Sequence, residues 1–511
     1  MYGTQDSNDS TKFASLNLVA VNDFAGKSVL TSSRVDYAQS IPTGTYNDGT
    51  KTVSNIHPNI AVVAQANAQQ IGQWFKTDLS GAGSPRLVAI SPQAYGTSFG
   101  PLCPGLGLVG GLNLNRTFIV YETGGADSDC SAATDNQRFV LSVMNTFANA
   151  IPVTSLVSSV NDFTFVTDST DASQSPTAII AVNGKNLVRY PVDPNDPRSF
   201  NNPFGGAATN IATAANSIEL DIEKNGQHHD GFFVNMDNNI YWYDDRTNKL
   251  GNSLHTVPSS ASFTSGGCDA TDCYFRETIH IANSSVTSRI LRLARNGTSG
   301  AQTVLDNIPQ AIEEVAIVGA SVYMVLDAQG SLTLQSVPKT GGNLTTHDTS
   351  TYFSNLVVAD KYIYYTKRAA NVAAPFPAFP VGMNAVALDT STSGVKETEK
   401  ATWSGYVKSS SLQPEHLVLV SNISTDSAVG MAGAKLQSYN AVTSQIDREL
   451  GTIPADILSL DFFGFANRII GTAITVTATD SQTDIVGLDI TQANSFHPIT
   501  QTPEPEMVLG F

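Results

Sequence analysis

Short apolar runs alternate with polar turns along most of this chain. Eight runs of aliphatic, aromatic and β-branched residues are each followed by a turn and then by a second alternating run. The eight begin at Thr117, Ala178, Gly231, Cys273, Ser321, Tyr362, His416 and Arg468. Their starts lie about 40 to 60 residues apart, which is the spacing of four-stranded repeats. The pattern therefore predicts a repeated β-sheet unit.

Partner strands follow most of these runs after a turn rich in Asn, Asp, Gly or Ser. They begin at Asn186, Ile240, Arg289, Leu332, Ala385 and Lys435. A sheet of three or four short strands cannot cover both of its faces alone, so repeated units are expected to stack face to face, and a closed ring covers the terminal faces. The predicted fold is all-β: a β-propeller of about eight, alternatively seven, four-stranded blades. Tandem β-sandwich domains are the second interpretation.

The first part of the chain fits the repeat less well. Residues 1–15 are polar and are predicted to form a flexible N-terminal segment, and 16–511 to form the propeller. Within it, 16–115 is expected to be an irregular element that closes the ring, and 116–511 to hold the repeated blades. The best helical candidate runs from Ile60 to Phe75, where alanines recur among apolar and Gln residues.

The charge balance limits the classes of partner. The chain has 511 residues, with 28 Lys and Arg against 45 Asp and Glu, a formal net charge of -17. Such a chain repels phosphate backbones and anionic lipids, which excludes nucleic acid as a partner. No cofactor is predicted. Ca²⁺ is the one ion considered, because acidic turns recur at 193–196 and 244–248, but their spacing is that of hairpin turns rather than of a calcium loop.

The four cysteines form two local pairs, Cys103 with Cys130 and Cys268 with Cys273. Two disulfides closing short loops are the prediction, since the second spacer is wrong for a C-x-x-C redox or zinc element. Disulfides and a low charged fraction together predict a secreted, periplasmic or cell-surface protein from which a signal sequence or lipid-anchored leader has been removed. No apolar run is long enough for a transmembrane helix.

Two segments carry candidate binding residues. His228, His229 and Asp230 precede an apolar run and could reach a central channel, although a solvated loop is the simpler interpretation. A proline-rich insertion presents Phe376, Phe379 and Met383 away from a regular sheet. These apolar side chains predict a contact surface, and the alternative is that they fold back against one end of the ring.

Common enzyme motifs are absent from the sequence. There is no Gly-x-Ser-x-Gly, no His-Glu-x-x-His and no dinucleotide, phosphate-loop or haem pattern. The leading prediction is therefore a non-enzymatic module that binds a protein partner, a ligand or an extracellular polymer. An enzyme acting on a polysaccharide or another polymer is the first alternative, favoured if two or more of Glu223, His229, Asp230 and Asp461 converge in one site. A structural subunit of a surface filament or layer is the second. The sequence assigns no oligomeric state.

Overall fold

The computed structural model consists of antiparallel strands and turns. It describes strand backbone between residues 2 and 508. Side chains are described mainly for residues 178–191, 208–223, 230–281, 285–328, 330–353, 356–358, 361–368, 386–391, 418–421, 432–440, 445–457 and 486–498. No helix occurs in the described residues, and accordingly none there is long and apolar enough to span a membrane.

The N-terminal part forms one large sheet, sheet A, which also includes the last strand of the chain. Its strands are β1 (Tyr2–Asp6), β2 (Asp9–Leu18), β3 (Ser28–Thr31), β4 (Val35–Ile41), β7 (Asn59–Gln65), β8 (Gly72–Asp78), β9 (Arg86–Ala89) and β44 (Glu506–Val508). Their order is β44-β1-β2-β4-β7-β8-β9, with β3 also paired to β2. A separate hairpin, B, joins β5 (Thr45–Asn47) to β6 (Thr52–Ser54).

Eight sheets, C to J, follow in chain order. Sheet C contains β10 (Leu102–Cys103), β11 (Leu108–Gly110), β12 (Arg116–Thr123), β13 (Gln137–Met144) and β14 (Val157–Ser158). Sheet D contains β15 (Val160–Thr167), β16 (Pro176–Asn183), β17 (Asn186–Pro191) and β18 (Thr209–Thr213). Sheet E contains β19 (Ile218–Glu219), β20 (Gly231–Met236), β21 (Asn239–Asp244), β22 (Lys249–Leu250) and β23 (His255–Thr256). Sheet F contains β24 (Ala261–Cys268), β25 (Asp272–His280), β26 (Val286–Ala294) and β27 (Gln302–Ile308).

The last four sheets have four strands each. Sheet G contains β28 (Ala311–Val318), β29 (Ser321–Asp327), β30 (Leu332–Pro338) and β31 (Thr345–Ser350). Sheet H contains β32 (Val357–Ala359), β33 (Tyr362–Arg368), β34 (Met383–Asp389) and β35 (Lys396–Glu399). Sheet I contains β36 (Val407–Ser409), β37 (His416–Ser421), β38 (Lys435–Asn440) and β39 (Gln445–Thr452). Sheet J contains β40 (Ile457–Phe465), β41 (Arg468–Val476), β42 (Ser481–Asp489) and β43 (His497–Pro498).

The predicted repeat is present as antiparallel sheets. All eight predicted apolar runs lie in strands, and these are β12, β16, β20, β25, β29, β33, β37 and β41. In sheets D to J each is the second strand, and the predicted partner strands are the third. Hydrophobic alternation bounded by turn residues was therefore sufficient to locate the hairpin at the centre of each unit.

In sheets E to I, where the side chains are described, the second strand buries side chains on both of its faces. In β20, Phe232 and Val234 pack with residues of sheet D, whereas Phe233 packs with Phe275 and other residues of sheet F. Because successive side chains of a strand point to opposite faces, sheet E is covered on both sides.

The same arrangement continues along the chain. Shared apolar clusters join F to G, G to H, H to I, and I to J. A sheet in a sandwich has one packed face, so the two-sided burial of sheets E to I is different from the tandem sandwiches considered as the second interpretation.

The first strands of neighbouring sheets also contact one another. These contacts run from β24 to β28, then to β32, β36 and β40. At the two ends of the chain, β44 pairs with β1 in sheet A and contacts β41 and β42 of sheet J. The C-terminal strand thus connects the last sheet to the first.

Turn chemistry fixes the register of the central hairpins. Asp237 and Asn238 link β20 to β21 with φ values of 52° and 62°. Two positive φ values are what a two-residue type I′ turn requires, and Asp and Asn tolerate that region better than most residues. The Asp237 carboxylate also accepts hydrogen bonds from the amides of Ala215 and Asn216, which fixes the strand entry beside it.

The helix predicted from Ile60 to Phe75 is wrong. That segment contains β7 and β8, and Val62 lies opposite Phe75 in their pairing. Strand β7 also pairs with β4, so its backbone groups are bonded on both sides. Cross-strand pairing and β-branched residues outweighed the helix propensity of the alanines. The division into 1–15 and 16–511 stays a prediction, although β1 and most of β2 lie within 1–15.

Two glycines in similar β-hairpins should respond differently to alanine. A Cβ on Gly231 would lie 2.1 Å from the backbone oxygen of Tyr243, whereas one on Gly184 has nothing within 4 Å and only an unfavourable φ of +60°. We expect Gly231→Ala to lower the free energy of unfolding by about 3 kcal/mol or more, because backbone cannot move aside cheaply. Gly184→Ala should cost only about 1 to 2 kcal/mol. Urea unfolding of both variants checks this, and equal losses would contradict the close approach at Gly231.

Candidate functional site

Asp230 is the one member of the predicted histidine and aspartate cluster that the structure describes. Its Oδ2 lies 2.6 Å from Nη2 of Arg246, and its carbonyl oxygen accepts a hydrogen bond from the amide of Asp245. The Arg246 side chain is 60% exposed. Asp230 is thus paired with a largely exposed arginine. His228 and His229 lie outside the described residues.

The proline-rich insertion is the connection between β33 and β34. Phe376 and Phe379 lie outside the described residues. Met383 is the first residue of β34 and is paired with Arg368, so its backbone belongs to sheet H rather than to an irregular loop. The contact surface predicted at this insertion stays a prediction.

One cysteine pair is seen as a disulfide. Cys268 and Cys273 are joined across the β24–β25 hairpin, where they are also register partners. Cys103 ends β10, and Cys130 lies outside the described residues. The stapled turn between the joined cysteines contains Asp269, which pairs with Lys339.

The four residues that would have favoured an enzyme do not come together in the part that is described. The Glu223 carboxylate is buried and accepts a hydrogen bond from the amide of Phe233, 3.1 Å from each oxygen. Asp230 pairs with Arg246 instead. His229 and the side chain of Asp461 lie outside the description. The described residues also contain no group of three His, Cys, Asp or Glu side chains that could hold a metal ion, and Ca²⁺ binding stays untested.

Charged and aromatic side chains meet instead at the interfaces between successive sheets. At the D–E interface, Arg189 donates to both oxygens of Asp245, and the hydroxyl of Tyr243 donates to the same carboxylate at 2.8 Å. Burial, with the nearby Asp245 charge, raises the pKa of Tyr243, so this phenol stays protonated as a donor.

The F–G interface is held by Asp269 of the stapled turn. Nζ of Lys339, which follows β30 in sheet G, lies 2.5 Å from its Oδ2. Burial alone would raise the pKa of Asp269. The hydrogen bonds from Lys339, Thr271 and Asp272 outweigh it and lower the pKa from 3.8 to about 2. Burial, with the charges of Asp269 and Asp272, also raises the pKa of Tyr274 beneath the ammonium group to about 12.

At the G–H interface a β-bulge in sheet G places His347 beside Asp348. The β30–β31 register shifts between Leu334 and Gln335, so that His347 is the extra residue beside Asp348. Asp348 accepts hydrogen bonds from Lys367 and Tyr365 of sheet H, each at 2.8 Å. Nε2 of His347 lies 2.8 Å from Oγ of Ser336, which is buried. Burial lowers the pKa of His347.

The E–F interface contains the arrangement best suited to acid–base chemistry. Glu277, on β25, is fully buried, and its two oxygens have different partners. Oε2 lies 2.6 Å from Nε2 of His255 on β23 of sheet E. Oε1 lies 2.7 Å from Nε and 2.5 Å from Nη2 of Arg289 on β26. One carboxylate therefore fixes the positions of a histidine and an arginine that belong to different sheets.

Aromatic rings support this site from below. The His255 ring is stacked on Phe263, with centroids 5.7 Å apart, and Phe263 is stacked on Phe275 at 4.8 Å. Phe275 is in edge contact with Phe233 of sheet E. The imidazole thus rests on packed core, while its side chain keeps 13% of its surface exposed.

The hydrogen bonds define which nitrogen of His255 can act as a base. Arg289 only donates, so Glu277 accepts from it, and the same carboxylate accepts from Nε2 of His255. In the neutral ring Nε2 then carries the proton and Nδ1 carries the lone pair. No hydrogen bond to Nδ1 is found among the described residues. A carboxylate that orients a histidine in one tautomer is the arrangement used in acid–base catalysis.

The sequence pattern did not find this site. His255, Glu277 and Arg289 are 22 and 12 residues apart and lie on three strands, so no local motif joins them. Part of the signal was present, because Glu277 and Arg289 are opposite each other in the β25–β26 pairing and both strands were predicted. The turn between β25 and β26 is longer than two residues, so the sequence did not fix the register that places Glu277 opposite Arg289. His255 comes from the preceding sheet and belongs to no sequence motif.

Comparisons with known proteins give only distant likenesses. No protein-family model matches the chain, and no curated protein matches it in sequence. Among solved structures it is similar to a prolyl endopeptidase at 11% identity and a TM-score of 0.36, covering 78% of this chain and 56% of that one. It is similar to an oligogalacturonate lyase in complex with manganese at 13% identity and a TM-score of 0.32, covering 64% of this chain and 96% of that one. It is also similar to prolyl oligopeptidase B from Galerina marginata at 9% identity and a TM-score of 0.33, covering 92% of this chain and 51% of that one. The chain therefore spans little more than half the length of the two peptidases.

These comparisons contradict the leading functional prediction. The similar solved structures are named as enzymes, not as non-enzymatic binding or assembly modules. That prediction was based on the absence of motifs. The absence of a motif does not exclude an enzyme, because catalytic groups can come from separate strands. At these identities and TM-scores, the likenesses give this chain neither a reaction nor a substrate.

Asp269 should make the protein lose stability in acid. Its folded-state pKa of about 2 lies below the ordinary value of 3.8, so its contribution to stability is complete above pH 3.8 and is lost as the pH falls towards 2. Asp269→Asn should lower the free energy of unfolding at neutral pH and make the decline between about pH 4 and 2 shallower. Urea unfolding at a series of pH values measures both effects.

The matched control is Asp306→Asn, at an exposed position of the same sheet. It should leave the acid decline as steep as in the wild type. If Asp269→Asn had the same slope as the wild type, the ion pair with Lys339 would not be responsible for the acid sensitivity.

Proposed function

We propose that this protein is an enzyme that cleaves a bond by general acid–base catalysis, with His255 as the acid–base residue. The observation that carries the proposal is the 2.6 Å contact between Nε2 of His255 and the fully buried Glu277, with the imidazole still 13% exposed. Among the described histidines, this combination of a buried orienting carboxylate and a partly open ring occurs at His255.

The proposed role follows from the chemistry of the oriented ring. Nδ1 would take a proton from water, from a hydroxyl group or from an acidic carbon, and Glu277 would stabilise the imidazolium that forms. Returning that proton to the leaving group completes either a hydrolysis or an elimination. A positioned histidine contributes about 10² to 10⁴ in rate.

The other interfaces are less suitable for this chemistry. At the G–H interface, Ser336 and His347 have the spacing of a nucleophile and a base, but the serine is buried. At the D–E and F–G interfaces the carboxylates are occupied by arginine or lysine, whose ordinary pKa values are far above neutrality.

The finer architecture is part of the same proposal. We propose that sheets C to J form the blades of a β-propeller and that sheet A closes the ring between sheet J and sheet C. Support comes from the shared clusters between neighbouring sheets, from the contacts of β44 with both ends of the chain, and from the contact between β4 of sheet A and β11 of sheet C. Export is proposed as well, supported by the disulfide between Cys268 and Cys273.

Substitution of His255 tests the catalytic role. The wild type and His255→Asn are assayed on a panel of chromogenic esters, peptides and acidic and neutral oligosaccharides. On the substrate that the wild type cleaves, His255→Asn should lower kcat by about 10² to 10⁴ while KM changes little, because the ring acts in the transition state.

The control is His347→Asn, which removes another partly buried histidine, at the G–H interface. It should retain activity within about threefold, since no step is assigned to it. Full activity in His255→Asn would overturn the proposal, and so would a loss of activity that follows His347 instead. Thermal unfolding of both variants establishes that the loss is not caused by misfolding.

A further inference from the structure

Arg289 lies beside the proposed acid–base residue and is held by the same carboxylate. It is directly opposite Glu277 in the β25–β26 pairing. Its side chain is 24% exposed, more than either His255 at 13% or Glu277 at 0%. The Arg289 side chain is therefore the most accessible of the three.

The hydrogen bonds of Arg289 leave one edge of the guanidinium unused. A guanidinium has five N–H donors, arranged as one edge through Nε and Nη2 and another through Nη1 and Nη2. The first edge is directed at Oε1 of Glu277. Among the described residues, no side chain or backbone oxygen accepts from the second edge. Two parallel donors thus remain available on a permanently charged group.

We infer that Arg289 binds a carboxylate group of the substrate next to His255, an inference that rests on the proposed function. Paired N–H donors of a guanidinium match the two oxygens of a carboxylate at one distance and in one plane. A planar monoanion suits this chain better than a phosphate dianion. The net charge of -17 opposes every additional negative charge that enters the site.

The geometry also gives this residue a positioning task. Because both oxygens of Glu277 are occupied, one by Arg289 and the other by His255, the two side chains cannot move independently. A carboxylate held by Arg289 would bring the atoms near it to a fixed place relative to the imidazole. Such fixed placement is a large part of what enzymes contribute to rate.

A binding experiment tests the inference without needing the substrate. Sodium acetate is titrated into ¹⁵N-labelled protein at constant ionic strength while the arginine Nε–Hε resonances are recorded. The resonance that disappears in Arg289→Lys identifies Arg289, and it should shift saturably with acetate in the wild type. Arg289→Lys should weaken acetate binding about tenfold, since lysine keeps the charge but has no fork.

Two controls separate this site from others. Arg292→Lys changes an arginine of the same strand whose guanidinium is directed at Lys339 and Gln302, and it should leave acetate binding unchanged. His255→Asn should keep acetate affinity within about twofold while removing activity. If the wild type binds acetate at Arg289 but cleaves none of the substrates in the panel, the anion site is supported and the proposed reaction is rejected.

Two results would overturn the inference itself. The first is equal acetate affinity in Arg289→Lys and the wild type. The second is an identical shift of the Arg289 resonance with sodium chloride, which would mean an adventitious ion only. If the lysine variant does not unfold cooperatively, a crystal structure of the wild type grown in acetate replaces it. Absence of acetate oxygens at Nη1 and Nη2 would then reject the site.

Discussion

In sheets E to I the second strand packs against apolar residues of both neighbouring sheets, and the rest of the structure depends on this constraint. In β20, β25 and β29 consecutive residues are buried, with odd and even positions serving different neighbours. Such a sheet cannot be stable alone, because one face would expose aromatic and aliphatic side chains to water. In sheets E to I each sheet therefore covers an apolar face of both of its neighbours. The sheets at the two ends of the chain also have apolar faces to cover, and β44 connects them by pairing with β1 of sheet A and contacting sheet J.

Burial between sheets creates a second problem, which concerns charge. The described interfaces include carboxylates such as Glu277 and Asp348 that are almost completely removed from water. An isolated buried carboxylate would cost several kcal/mol, so each has a cation or several donors from the neighbouring sheet. The desolvation cost cancels much of the attraction, so these pairs contribute little net stability. We interpret them as devices that fix which face of one sheet lies against the next.

The candidate site is one of these interface clusters with an open side. The Glu277 carboxylate orients His255 much as Asp348 orients Lys367. A structural ion pair and the proposed acid–base group thus differ here in the identity of a single side chain and in its exposure. The proposed site therefore needs no local sequence motif.

The sequence by itself determined most of the central hairpins of the repeated sheets and the all-β class of the fold. Period-two alternation and turn residues are local signals, so Gly231-Phe-Phe-Val-Asn and its partner Ile240-Tyr-Trp-Tyr could be assigned without any knowledge of neighbours. The cysteines at 268 and 273 were paired for the same reason, since they are close in the chain. The segment from Ile60 to Phe75 shows where local signals fail, because alanine-rich strands depend on pairing partners that sequence does not reveal.

Only the tertiary structure decided which polar groups face one another. Glu277 and Arg289 meet through hairpin register, and His255 arrives from another sheet through the packing of two faces. Both relations depend on side-chain direction, which reverses with a shift of one residue along a strand. A histidine 22 residues from its carboxylate has no signature in the chain, and its role exists only when the two sheets are in contact.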